Sequence, residues 1–121
     1  MPEKNVLPKY FPAKQRVLIV SEYLQKQNIL SEVLSPAGYE SQQIQAGEPN
    51  TIKKGERSDL IILDIQTSNA WGIELLSKLK SNSKTEHIPI IFLSTFTEIQ
   101  DKEQVFGAGC YDYVTKPYSV G

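Results

Sequence analysis

Three short runs of apolar residues dominate the hydrophobic pattern of this 121-residue chain. They span residues 17–20, 60–63 and 88–93, and only the last is interrupted, by Pro89. Because apolar side chains fall on both faces of such a run, each is typical of a strand buried on both sides of a sheet. Pro89 lies near the start of its run, where a missing N–H matters least. The pattern therefore predicts three central strands.

Two further strands and four helices are predicted around these three. Residues 39–44 are polar and suit the edge of a sheet, and residues 111–115 form a last short strand. The segments with helical character lie between successive strands and span residues 23–36, 47–55, 72–79 and 98–106. Pro36 and Gly38 close the first of these helices, because neither residue type continues a helix well.

This alternation of strands and helices predicts an α/β fold. We expect a doubly wound, five-stranded parallel sheet with right-handed crossovers and helices on both faces. The length of 121 residues excludes a second ordinary domain. The predicted domain spans residues 16–121, and the preceding residues 1–15, with three prolines, are predicted to form an extended arm.

The net charge and the cysteine content exclude several classes of function and of structural site. Thirteen Lys and Arg residues against fourteen Asp and Glu residues give a formal net charge of -1, so direct binding to nucleic acid or to an anionic membrane is not expected. No apolar run reaches the roughly 18 residues of a membrane span. The lone Cys110 excludes an internal disulfide and predicts a small core residue. A cytoplasmic location fits this cysteine content.

Residues with useful chemistry fall at the predicted carboxyl ends of the strands, where doubly wound sheets bind ligands. They are Ser21, Glu22, Asp64, Ser94, Thr95, Lys116 and Pro117. The carboxylates of Glu22 and Asp64 are oxygen ligands that suit Mg²⁺. Asp64 is also the natural nucleophile for a phosphoryl group, with Lys116 balancing charge and Ser94 donating a hydrogen bond to a phosphoryl oxygen. Without a glycine-rich phosphate loop, a nucleotide is not an expected ligand.

Five segments of the chain together resemble the receiver domain of two-component response regulators. They are residues 18–20 before an acidic position, 60–64, 72–76, 87–91 and 112–117, and the resemblance covers about residues 16–118. It implies that Asp64 accepts a phosphoryl group from the phosphohistidine of a sensor histidine kinase. It also implies Mg²⁺ as the cofactor, with Glu22, Asp64 and the backbone carbonyl of Gln66 as its ligands.

The same resemblance implies a conformational switch. Ser94 and Tyr113 stand at the positions of the hydroxyl and the aromatic residue that respond to phosphorylation in this family. The peptide bond between Lys116 and Pro117 is expected to be cis, as is typical of the family. The expected partner, besides the kinase, is a downstream output domain or partner protein. We therefore expect a signalling switch and not an enzyme.

Two stretches depart from the family pattern. Ser21 and Glu22 stand where two adjacent acids are usual, so one negative charge is lost from the metal site. In the loop after Asp64, residues 67–68 replace the usual Met-Pro pair and Trp71 replaces an Asp. These departures weaken the expectation of metal binding and of a rigid loop.

The family's last helix is also missing before Gly121. Three explanations are open at this point. The chain is a fragment of a longer protein, another element such as the N-terminal arm covers that face of the sheet, or the face mediates a homodimer.

Three functions compete on this sequence. The strand-end residues favour a phosphorylation-dependent switch. Ser21, Ser68 and Trp71 favour a pseudo-receiver, a protein-interaction module of the same fold that works without phosphorylation. A small hydrolase that uses Asp64 is the weakest alternative, because the chain offers no evident general base.

Two local interpretations are also open. Ser21 and Glu22 could serve as the N-cap and a first-turn acid of the following helix instead of binding a metal. Trp71 is predicted either to fold back onto the third helix or to form part of a partner-binding surface.

Overall fold

One parallel sheet organises the part of the chain that the structure describes, which in this computed structural model is residues 15–24, 28–65, 69–94 and 99–116. Its strands are β1 Gln15–Ser21, β2 Tyr39–Gln45, β3 Leu60–Asp64, β4 Ile90–Ser94 and β5 Asp112–Thr115. They lie in the order β2-β1-β3-β4-β5, and every neighbouring pair is parallel. The polar strand β2 therefore lies at an edge, as its sequence predicts.

Four helices connect the strands within the described residues. They are α1 Ile29–Leu34, α2 Thr51–Glu56, α3 Ala70–Lys80 and α4 Ile99–Gly107. Each follows one strand and precedes the next, because a parallel neighbour is reached only by a crossover. None of these helices has the length and apolar character needed to cross a bilayer.

The core has two layers, one on each face of the sheet. Successive strand residues point to opposite faces, so each apolar run supplies both layers. The smaller layer joins strand residues to α1, and its members are Val17, Ile19, Ile62 and Leu93 with Leu30 and Leu34 packed against them. The larger layer includes Leu76 and Leu79 of α3 and Val105 of α4, with Ile52 of α2 packed against it. The predicted doubly wound α/β fold is confirmed.

Helix α1 is shorter than predicted. It begins at Ile29 because Asn28 caps it: the Asn28 backbone is extended, and its side-chain oxygen accepts a hydrogen bond from the Ser31 N–H at 3.2 Å. Ser21 instead ends β1, so the interpretation of Ser21 and Glu22 as the cap and first-turn acid of this helix is wrong.

Other element boundaries differ from the predictions by a few residues. β1 begins at Gln15, one residue before the predicted start of the domain, and residues 1–14 of the predicted arm lie outside the described residues. β4 begins at Ile90 because Pro89 has no N–H, although its carbonyl still accepts a hydrogen bond from the Ile61 N–H at 3.1 Å. α3 begins at Ala70, two residues earlier than predicted.

Cys110 is buried in the larger core layer, as predicted. Burial raises the pKa of its thiol from 9.0 to about 11, and the nearby Asp112 carboxylate adds to the increase. The folded protein therefore favours the protonated thiol.

This shift predicts a loss of stability in alkali. The contribution of the thiol is complete below the unfolded pKa of 9.0 and is lost as the pH rises towards about 11, because the unfolded chain releases the proton first. Urea unfolding between these pH values should show a steeper loss of unfolding free energy for the native chain than for Cys110→Ala. Parallel pH profiles would contradict the assigned burial of the thiol.

Gly72 allows the start of α3 to lie close to the sheet. A Cβ at this position would come within 2.6 Å of Ile65 Cδ1 and 2.8 Å of Phe92 Cζ. Both neighbours are fully buried, so neither has space to withdraw. The absence of a side chain at Gly72 thus fixes how closely α3 approaches the ends of β3 and β4.

Gly72→Ala should therefore destabilise the protein. Overpacking of this kind costs about 2 kcal/mol, which urea unfolding would detect as a lower midpoint. Gly107→Ala is the matched control, because Gly107 ends α4 and a Cβ there meets no atom within 4 Å. Equal unfolding midpoints for the two variants would show that α3 is less tightly packed than described.

Candidate functional site

The carboxyl ends of four strands meet at one edge of the sheet. Ser21 of β1 lies opposite Asp64 of β3, and Ser94 of β4 lies opposite Thr115 of β5. The Lys116 N–H then donates to the Ser94 carbonyl at 2.7 Å, which extends the β4–β5 pairing by one residue. The register thus brings residues from distant parts of the sequence to the same edge.

Asp64 and Lys116 form the closest charged contact at this edge. Lys116 Nζ lies 2.7 Å from Asp64 Oδ1, and the two side chains are only 9% and 10% exposed. The contact is an ion pair without the angles of a hydrogen bond, since Oδ1 has no hydrogen-bond partner among the described residues. At this low exposure each charge requires the other, because an unpaired buried charge is costly. The pair presents a carboxylate oxygen beside a fixed positive charge.

Ser94 is fully buried beside the pair. Its hydroxyl donates to the side-chain oxygen of Asn69 at 3.4 Å, a long distance for this kind of hydrogen bond. Asn69 directly precedes α3. The sequence predicted Ser94 as a site residue but did not predict the contribution of Asn69.

Ser21 and Glu22, at the end of β1, differ in burial and in hydrogen bonding. Ser21 is buried, and its hydroxyl has no hydrogen-bond partner among the described residues. Glu22 is half-buried, and its backbone carbonyl accepts a hydrogen bond from Gln45 Nε2 at 3.1 Å. The bond from Gln45 holds the Glu22 backbone near the edge.

These donors suit a small, hard cation with few protein ligands. Within the part of the chain described, no cluster of three or more His, Cys, Asp or Glu side chains could hold a metal. Mg²⁺ does not need such a cluster, because it usually keeps several waters and takes one or two carboxylates. Asp64 and Glu22 are the two carboxylates predicted for this role, and the Ser21 hydroxyl, which has no hydrogen-bond partner among the described residues, could accept a hydrogen bond from a metal-bound water. The predicted third ligand, the Gln66 carbonyl, lies outside the described residues.

Tyr113 is buried on β5 next to the site edge. Its ring stacks on Phe92 of the neighbouring strand with centroids 6.0 Å apart, and Lys102 Nζ of α4 lies 5.9 Å from its centroid. These contacts hold the ring inward. Two other predicted positions, Thr95 and the peptide bond before Pro117, lie outside the described residues.

Trp71 lies within α3 and not in the preceding loop, where the sequence placed it. It is half-buried against the larger core layer, and its indole nitrogen is buried without a hydrogen-bond partner among the described residues. It also lines a cleft of about 460 Å³ together with Glu48, Pro49 and Glu74. Trp71 therefore contributes to the core and to an open surface at once.

Comparison with known proteins decides the family. The chain matches the response regulator receiver domain family over residues 17–121. It belongs to this family. The receiver domain is 31% identical over 105 residues to the polar-differentiation response regulator DivK of Brucella anthropi, with 86% of this chain and 85% of the relative covered.

Solved receiver structures share the fold of this domain. The chemotaxis protein CheY4 of Vibrio cholerae superposes with a TM-score of 0.74 at 27% identity, covering 88% of this chain and 89% of that one. The signal receiver domain of a signal transduction histidine kinase from Syntrophus aciditrophicus gives a TM-score of 0.70 at 28% identity, covering 85% and 79%. The resemblance drawn from the sequence motifs is confirmed.

The Asp64–Lys116 pair of the receiver domain leads to a stability prediction. Lys116→Met should lower the unfolding free energy by about 3 kcal/mol, because it leaves the Asp64 carboxylate buried without its partner. Adding Asp64→Asn should recover most of this loss, since the stranded charge is then removed. Lys84→Met is the control at an exposed lysine. Equal effects of the two lysine substitutions in urea unfolding would contradict a buried ion pair.

Proposed function

We propose that this receiver domain accepts a phosphoryl group on Asp64 from a sensor histidine kinase and then changes its affinity for a downstream output domain or partner protein. The observation that carries the proposal is the contact of 2.7 Å between Asp64 and Lys116 at the carboxyl edge of the sheet. This edge is where doubly wound sheets bind their ligands. We place the exchange in the cytoplasm.

The transfer requires few groups. An Asp64 carboxylate oxygen attacks the phosphorus of a phosphohistidine, an oxygen–phosphorus bond forms, and the phosphorus–nitrogen bond breaks. The electron pair stays with the imidazole nitrogen, which takes up a proton from solvent. Because phosphoryl transfer depends mainly on positioning and charge stabilisation, an oriented carboxylate and a nearby ammonium supply much of what is needed. Lys116 Nζ balances charge on the phosphoryl oxygens.

Mg²⁺ would be held by Asp64 and Glu22, with waters in the remaining positions. When bound, the cation supplies further positive charge to the phosphoryl oxygens. The chain itself orients Asp64 through the β1–β3 and β3–β4 pairings and keeps the carboxylate largely out of water. Ser21 in place of an acid reduces the negative charge available to the cation.

The response to phosphorylation would involve Ser94 and Tyr113. Ser94 lies one residue beyond Leu93, which pairs with Asp64 across the sheet, so both residues stand at the same carboxyl edge. On phosphorylation the Ser94 hydroxyl would donate to a phosphoryl oxygen on Asp64. The ring of Tyr113 packs on the strand that carries Ser94. A shift of Ser94 would therefore displace the ring of Tyr113. Because Lys102 of α4 lies over that ring, the displacement would also change the position of α4. Such a switch works by stabilising one of two conformations.

A second candidate function is a pseudo-receiver, an interaction module that never carries phosphate. Ser21 favours it, because the neutral hydroxyl stands where the family usually has an acid for metal binding. The cleft beside Trp71 offers a partner surface that does not depend on Asp64.

Incubation with acetyl phosphate and Mg²⁺ distinguishes the two functions. We expect intact mass spectrometry to show the addition of one phosphoryl group, and Asp64→Asn to abolish it, because the amide is a poor nucleophile. Asp59→Asn is the matched control, because Asp59 directly precedes the amino end of β3, whereas Asp64 lies at its carboxyl end. A folded native domain that gains no mass would favour the pseudo-receiver. An adduct that persists in Asp64→Asn would place the modification elsewhere.

A further inference from the structure

Asn69 occupies the N-cap position of α3 without capping the helix. Its side chain makes no hydrogen bond to the first turn, and its backbone is helical, with φ -74° and ψ -12°. Asn28, at the same position of α1, has extended backbone and does accept a hydrogen bond from the first turn. Asn28 thus caps its helix through its side-chain oxygen, whereas the side-chain oxygen of Asn69 makes no bond to the first turn of α3.

The oxygen of Asn69 accepts the hydroxyl hydrogen of Ser94 instead, with Oγ and Oδ1 3.4 Å apart. Ser94 is fully buried and Asn69 is half-buried, so the contact is only partly shielded from water. Ser94 follows Leu93, the residue that pairs with Asp64 on the neighbouring strand. A hydroxyl has one proton and donates one such bond. At 3.4 Å the bond is long, and therefore weak enough to be exchanged for a better one.

A phosphoryl oxygen on Asp64 would be a better acceptor. Charged acceptors form shorter and stronger hydrogen bonds than a neutral amide does. The Ser94 hydroxyl therefore cannot serve Asn69 and the phosphoryl group at once, and the two acceptors compete for it.

We infer that Asn69 is a positioning residue that holds the Ser94 hydroxyl in the unphosphorylated state and thereby lowers the affinity of the site for a phosphoryl group. This inference rests on the proposed function of Asp64. Release of Ser94 would free the Asn69 oxygen for the N–H groups at the start of α3. Capping needs an extended backbone, so a move of Asn69 to the cap would also change its own backbone from the helical conformation that it has now. Asn69 thereby links the hydroxyl of β4 to the entry of α3.

Titration with beryllofluoride, a mimic of the phosphoryl group on Asp64, in the presence of Mg²⁺ tests this inference by calorimetry on the full chain. Asn69→Leu keeps the branched shape of the side chain but removes the acceptor, so we expect about three-fold tighter binding of beryllofluoride. Asn69→Asp keeps an acceptor and adds a negative charge, so we expect weaker binding. Asn50→Leu is the matched control, because Asn50 precedes α2 and likewise makes no side-chain cap hydrogen bond.

The Ser94→Ala background separates positioning from a general structural effect. Without the hydroxyl, Asn69→Leu should no longer change beryllofluoride affinity, whereas a merely structural effect would persist. Unchanged affinity in Asn69→Leu, with native binding intact, would overturn the role of Asn69 and leave the proposed function standing. If Asn69→Leu does not fold, Asn69→Ser, whose shorter side chain withdraws the acceptor, must bind more tightly for the inference to hold. Failure of the native chain to bind beryllofluoride would overturn both proposals.

Discussion

The parallel register of the sheet is the constraint on which the site depends. Parallel strands end at the same edge, so the residue after each strand is placed by backbone hydrogen bonds and not by the loops. This is how Asp64 and Lys116, 52 positions apart in the sequence, reach 2.7 Å. The bond from the Lys116 N–H to the Ser94 carbonyl continues the same ladder and fixes the lysine backbone. A change of register by one residue would turn Asp64 to the opposite face.

The charge balance at the edge follows from this placement. The buried Asp64 carboxylate is paired with one ammonium, and the residue opposite it on β1 is the neutral Ser21. A carboxylate at that position would add repulsion at short range. The charges of Asp64 and Lys116 therefore nearly cancel in the unphosphorylated domain. In return, position 21 offers no carboxylate to a metal. Any Mg²⁺ bound here would rely on fewer protein charges than in the usual family pattern.

Much of the fold and part of the site could be predicted from the sequence. The apolar runs at residues 60–63 and 88–93 defined central strands because burial on both faces leaves little freedom for other structure. Asp64 and Lys116 were predicted at one edge because the alternation of strands and helices implies parallel strands, whose carboxyl ends share an edge. The start of α1 was predicted wrongly, since apolar spacing does not locate a cap, and Asn28 was the available signal.

The contact between Asn69 and Ser94 could not have been predicted in this way. An asparagine before an apolar helical segment is a signal for an N-cap, and that signal would have located the start of α3. It would also have assigned the oxygen of Asn69 to the wrong partner, because the contact depends on the tertiary position of β4. The contact of Lys102 with the Tyr113 ring likewise depends on how α4 packs against β5, which the sequence pattern does not show.

Cys110 has a practical consequence for work on this protein. It is the sole thiol in the sequence, it is buried, and it stays protonated at neutral pH. Since alkylating reagents and disulfides react with the thiolate, this sulfur is a poor target for both. A cysteine introduced at a chosen surface position would therefore be the one site that takes up a maleimide dye. Spectroscopic probes could be attached to the native background without first removing a residue from the core.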